Sequence, residues 1–220
     1  MRPVIFLAFA NDPEAPLNGL SKEREDIREA LHEAEKVGLC EVIEHVNVTL
    51  DDIIGVFQDK DYRGRIAIFH YGGHANGYQL LLESEEGKNV AARSEGLVPF
   101  FARQYSLELV FLDGCSSQQQ ALEMIEAVVP SVIGTSQSIN DDIASRLAGR
   151  FYNGLGQGTG IETAWREAID EVKMRKGTAS MRDLFWDGKE TVSQSEDKKT
   201  PTPDQFPWNI YFTVLWTKGF

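Results

Sequence analysis

Arg65-Ile-Ala-Ile-Phe-His-Tyr-Gly-Gly-His74 is an apolar run that breaks at two glycines and ends in a histidine. A second run of the same kind, Leu107-Glu-Leu-Val-Phe-Leu112, passes through Asp113 and Gly114 into Cys115. Short apolar runs bounded by glycine read as strands buried on both faces, the pattern of a parallel sheet covered by helices. In such a sheet a ligand site lies beyond the carboxyl ends of the strands. If these two strands are neighbours, His74 and Cys115 meet at one edge of the sheet.

Around this pair the chain alternates strands with helices. Val4–Ala10 reads as a first strand, followed by the turn-rich Asn11-Asp-Pro-Glu-Ala-Pro16 and Asn18-Gly19. The next helix has Ser21 as its cap and Glu23, Glu25 and Asp26 at its positive end. Ile27, Ala30, Leu31, Ala34 and Val37 recur in it at helical spacing, and Gly38 stops it. Val42-Ile43 and Val46-Asn-Val48 suggest a second strand, and Thr49-Leu-Asp-Asp52 a capping box opening a short helix through Ile53 and Phe57. Tyr78–Leu82 reads as a hairpin arm, and Leu97, Phe100 and Phe101 as the core face of a helix. Leu122, Ile125 and Val129 mark a helix before a fifth main strand, Ser131–Gly134. Two more amphipathic helices follow, carrying Ile143, Leu147 and Phe151, then Ile161, Ala164, Trp165, Ala168, Ile169 and Val172. Asp187–Pro207 lacks apolar periodicity and reads as a long mobile loop leading to a final strand over Trp208–Trp216. The whole is an α/β chain, expected to form a single domain over 1–220: a mostly parallel sheet with helices on both faces.

Composition narrows the function. Acidic residues number 34 against 22 basic ones in 220 residues, a net charge of −12, which repels phosphate backbones and anionic membranes. Nucleic acid and membrane are therefore poor partners. Seven apolar residues at the start are too few to span a bilayer, and Asn11-Asp12-Pro13 is no export cleavage site. Only two cysteines occur, Cys40 and Cys115, which points to a reducing cytosol. Cys40 reads as a buried small hydrophobe, His32 and His45 as surface residues and His70 as structural. The aromatic cluster Trp208, Tyr211, Phe212 and Trp216 reads as core or dimer packing.

A thiol needs a nearby base to supply thiolate at neutral pH, and the amide end of a helix beginning near Ser116 lowers its pKa further. A Cys115–His74 pair of this kind attacks a carbonyl carbon, with backbone N–H groups near Ala75 and Cys115 stabilising the tetrahedral oxyanion. No metal or organic cofactor is needed for that chemistry. The absence of a Gly-x-Gly-x-x-Gly fingerprint or P-loop after the first strand argues against a nucleotide-binding domain.

Phe69-His-Tyr-Gly-Gly-His-Ala75 and Leu112-Asp-Gly-Cys-Ser-Ser117 resemble the histidine and cysteine motifs of caspase-like cysteine peptidases, above all the CHAT peptidases of bacteria. Val132-Ile-Gly-Thr135, Asp141-Asp142, Phe151-Tyr152 and Leu155-Gly156 follow in the order of that family, and the resemblance runs from the first strand to Glu162–Val172. It implies a three-layer caspase-like sandwich of about six strands, with His74 as general base and Cys115 as nucleophile. Ala75 departs from the glycine usual after the histidine, and Gln118-Gln119-Gln120 replaces the commoner glycine near the nucleophile. By the same resemblance Asp113, two places before the nucleophile, lines the primary specificity pocket, where an acidic residue selects Arg or Lys. From the residues alone it serves equally as a cap for the following helix. The implied substrate is a protein or peptide, such as a gasdermin-like or neighbouring-gene partner in bacterial defence or programmed cell death. The alternative is a catalytically inactive caspase-like interaction module. Only Ser116–Pro130 separates Cys115 from the next strand, which leaves no processing loop, so activity is expected in the uncut chain, with 187–207 as a candidate lid.

Overall fold

Val4–Ala10 (β1) buries all seven of its side chains. Ile5, Leu7 and Phe9 point to one layer and Val4, Phe6, Ala8 and Ala10 to the other, the alternation of a strand covered on both sides. The computed structural model describes residues 1–12, 15–84, 89–138, 140–176 and 206–213. In it β1 runs parallel to Glu41–Val46 (β2) and to Ile66–Gly73 (β3). Parallel pairing continues from β3 to Leu109–Asp113 (β7) and on to Ser131–Thr135 (β8), and Trp208–Phe212 (β9) closes the edge antiparallel. The sheet has six strands in the order β2-β1-β3-β7-β8-β9, mostly parallel as the alternation of apolar runs and helices predicts and of the size the resemblance implies. A small antiparallel sheet of Ala75–Asn76 (β4), Gln79–Glu83 (β5) and Asn89–Arg93 (β6) stands where a hairpin arm is expected.

Helices Leu20–Lys36 (α1), Asp141–Gly156 (α5) and Ile161–Lys176 (α6) cover one face. Leu50–Gln58 (α2), Ser94–Ala102 (α3) and Gln118–Glu126 (α4) cover the other, completing three layers. Helices α1 and α5 lie unusually close: a Cβ on Gly156 would stand 2.7 Å from the Ala30 carbonyl oxygen, so only glycine permits the approach. The Thr49 capping box forms as expected, with Asp52 N–H donating to Thr49 Oγ1 at 3.1 Å and Thr49 N–H to Asp52 Oδ2 at 2.9 Å. Cys40 is buried. Among the described residues no helix is long and apolar enough to cross a membrane.

Three local expectations need correction. Helix α1 starts at Leu20 with Gly19 at its N-cap and no side-chain cap, so Ser21 lies inside it. The Asn11 side chain sets that start, accepting from the Leu17 N–H at 2.8 Å and fixing the turn before the helix. Within α4, Leu122 is exposed while Gln120, Ala121 and Met124 face inward, because the turn after Cys115 sets the phase of this helix. The second strand ends at Val46, and Asn47 turns the chain at φ 55°, so Val48 leaves the strand to donate its N–H to the Phe9 carbonyl at 2.9 Å. Residues 187–205 of the expected loop, with Trp216, lie outside the described residues.

Candidate active site

Parallel register sets Gly72 of β3 opposite Asp113 of β7, so the next residues of each strand emerge side by side at one edge. A Cβ on Gly114 would lie 2.6 Å from the Ala75 Cβ and 2.8 Å from the Gly73 carbonyl oxygen. Only glycine lets the two turns touch there. The contact brings the His74 turn against the Cys115 turn, with both residues partly exposed.

Two buried hydroxyls hold the cysteine turn. Ser117 Oγ donates to the Leu112 carbonyl at 3.0 Å and accepts from the Thr135 N–H at 3.0 Å. Thr135 Oγ1 donates to the Gly114 carbonyl at 2.5 Å and accepts from the Ser117 N–H at 3.3 Å. Ser116, between Cys115 and Ser117, adopts φ 57°, a left-handed conformation that is strained for serine and persists where the surroundings over-determine it. Among the described residues the Cys115 N–H has no hydrogen-bond partner, so it is available as a donor. Thr135→Val, which keeps the shape and removes both hydrogen bonds, is expected to cost about 1–3 kcal/mol by leaving buried polar groups unpaired. Denaturant midpoints check this, and a Val variant as stable as the parent would dismiss the lock.

His74 Nε2 lies 2.6 Å from the Ala15 carbonyl oxygen. A carbonyl only accepts, so Nε2 carries the proton and the neutral ring keeps its lone pair on Nδ1. Tyr71, buried in β3, places its hydroxyl 2.7 Å from the His74 carbonyl and 2.6 Å from that of Leu81, tying the histidine turn to β5. Burial pushes the Tyr71 phenol up, so it remains a donor across the physiological range.

Beside Cys115 a pocket is lined by Leu17, Leu20, Glu23, Asp113, Asp141 and Ala144. Glu23 and Asp113 are only 3% and 5% exposed, and their carboxyl groups line the same pocket close enough to influence each other. Glu23 Oε1 also lies 2.9 Å from Nε2 of the fully buried His70, and Asp113 Oδ1 accepts from the Trp208 indole at 3.1 Å. Burial pushes the Glu23 carboxyl up to about 8 and Asp113 well above the carboxylate range, and holds His70 down to about 4. Asp141 is also raised, mainly by burial, against the lowering effect of the Gly19 N–H. His70 Nδ1, Asp113 Oδ2 and the Tyr152 hydroxyl have no hydrogen-bond partner. No group of three or more metal-ligating side chains is assembled among the described residues.

The structure thus gathers His74, Ala75, Asp113 and Cys115 at one edge. Asp113 accepts from the Trp208 indole, faces Glu23 and does not cap α4, whose N-cap is Ser117. Glu23 is the member that sequence reading missed: it passed for a helix-dipole acid at the positive end of α1. Its spacing from Ile27 and Leu31 was the available signal, since it places all three on the buried face of α1.

No protein-family model matches the chain, and no curated protein does. Solved structures do. One is a secreted C11 cysteine protease from Bacteroides thetaiotaomicron in complex with an irreversible peptide inhibitor, with TM-score 0.57 at 10% identity over 80% of this chain. The present chain spans 60% of the length of that protein. Another is the Drosophila initiator caspase Dronc, with TM-score 0.50 at 13% identity, covering 77% of this chain and 72% of its own. The fold is therefore caspase-like.

Proposed function

We propose that the protein is a cysteine endopeptidase of the caspase-like group, nearest in its motifs to the CHAT peptidases, with Cys115 as nucleophile and His74 as base. The observation that carries this reading is the contact of the two turns at Gly114, together with a histidine whose Nε2 is committed to the Ala15 carbonyl. In this mechanism His74 Nδ1 takes the Cys115 thiol proton, and the thiolate attacks the peptide carbonyl carbon. The N–H groups of Cys115 and Ala75 stabilise the oxyanion as the carbon becomes tetrahedral. His74 then protonates the leaving amine, and water hydrolyses the thioester, returning the thiol.

The pocket beside Cys115 supports a preference for Arg or Lys before the scissile bond. Glu23 and Asp113 form its acidic wall, and a guanidinium or ammonium there makes charge-assisted hydrogen bonds in a low dielectric. The motif resemblance supports a dedicated protein substrate cut in bacterial defence or programmed cell death. Two free cysteines support a reducing, cytosolic setting.

A peptide acyloxymethyl ketone with arginine next to the warhead tests the chemistry. The Cys115 thiolate displaces the carboxylate and a thioether remains. One adduct on Cys115 is expected and none on Cys40, which is buried and whose thiol burial raises. Labelling of neither residue, or equal labelling of a His74→Ala variant, would identify the protein as a scaffold that keeps the fold without the activity.

A further inference from the structure

Two carboxyl groups in mutual contact and nearly sealed from water need something to offset their charge. Among the described residues no Lys or Arg pairs with Glu23 or Asp113. The groups that face the pair are neutral or acidic apart from two imidazoles, whose attraction lowers Asp113 (His70) and Asp141 (His74) less than burial raises them. His70 reaches it from β3 and is held neutral by burial. Asp141 and Tyr152 face it from α5, the tyrosine raised well above its ordinary range by burial. Asp26 acts on Glu23 from α1. From β9 comes only the Trp208 indole, a neutral donor. His74, at the rim, acts on Asp141. Like-charged carboxylates this close and this dry do not both ionise.

We infer that Glu23 and Asp113 share a proton in the uncomplexed protein, and that a guanidinium or ammonium entering beside Cys115 takes the place of that proton, which leaves to solvent. The inference rests on the basic-residue reading above and adds its coupling to pH. Geometry supplies the means. Both residues line the pocket, which at about 30 Å³ must widen to admit the cation, and the buried Asp113 Oδ2 has no hydrogen-bond partner of its own to give up. His70 Nε2 already faces Glu23, so the imidazole orients that carboxyl without neutralising it. Burial, which raises both carboxyl groups, keeps the proton in place at neutral pH. Proton and cation then compete for one site. Binding of a basic side chain weakens as pH falls, by at most about tenfold per pH unit for one displaced proton, while binding of a neutral side chain of similar length does not. Selectivity for basic over neutral residues therefore rises from mildly acid to mildly alkaline pH.

Two measurements on the full chain test this. Infrared difference spectra of the uncomplexed protein at pH 7 are expected to show a protonated carboxyl band that Glu23→Gln removes. Glutamine keeps an acceptor for His70, so folding is expected to survive, and Asp113→Asn serves as a second variant. Calorimetric titration of Cys115→Ala with benzoyl-arginine amide, in buffers of different ionisation enthalpy, is expected to release about one proton per site at pH 7. That release is expected to shrink above pH 8 and to disappear in Cys115→Ala carrying Glu23→Gln. Absence of the carboxyl band overturns the inference whatever the peptide does. So does arginine binding without proton release, or release that persists with Glu23→Gln. If the band is present but the arginine probe does not bind, the basic-residue reading fails, and expulsion of the proton fails with it.

Discussion

Cys115→Ala is expected to reduce peptide cleavage to background, and His74→Ala to lower kcat by about 10²–10⁴-fold, the usual contribution of a positioned general base. Both variants are expected to keep the parent's unfolding midpoint. The two residues sit at strand ends and are partly exposed, so truncation opens no cavity in either core cluster. In His74→Ala the Ala15 carbonyl loses a donor at an exposed position, where water replaces it. Turnover on a cleavable peptide, measured beside a denaturation curve, separates the two effects. Near-parental turnover in either variant would show that the dyad is wrongly assigned, and loss of the fold would make the residue structural.

The second large effect is on selectivity. Asp113→Asn is expected to lower kcat/KM for peptides with Arg or Lys before the scissile bond by about 10–150-fold, the worth of one charge-assisted hydrogen bond of ~1.5–3 kcal/mol. Peptides with leucine or methionine there are expected to lose nothing. Asparagine still offers an oxygen to the Trp208 indole, so the pocket wall is expected to keep its shape. Peptide-library profiling of parent and variant decides the matter. A leucine or methionine preference that ignores the substitution would refute the acidic pocket.

Much of the main sheet was legible in the sequence because its central strands are buried on both faces and read as apolar runs, whereas β2 and β9 at the edges are only half-buried. His74 and Cys115 were legible as neighbours because strands that run parallel deliver their last residues to one edge. What escaped depends on contacts that no local pattern records. Gln118–Gln120 give no sign that the middle glutamine is exposed and the last one buried, because the strained turn at Ser116 sets the phase of α4. Ser21 has the composition of a cap, but a hydrogen bond from Leu17 to Asn11 starts the helix before it. Glu23 read only as an acid at the positive end of α1, because its partners, His70 and Asp113, lie far along the chain and come close only when α1 packs on the sheet.

The bond from the Trp208 indole to Asp113 joins residues 95 positions apart. At ordinary rates of protein synthesis, about 5–20 residues per second, roughly 5–20 s separate the making of the cysteine strand from that of the strand which steadies its neighbour. Through that interval a nascent chain already carries its thiol and imidazole, while Asp113 lacks the indole and β8 lacks the strand that covers its outer edge. Order of manufacture therefore leaves the wall beside Cys115 unbraced until the end: His74 and Cys115 are made first and the Trp208 strand last, so on the proposed reading an unfinished chain carries the dyad before the pocket that gives it selectivity.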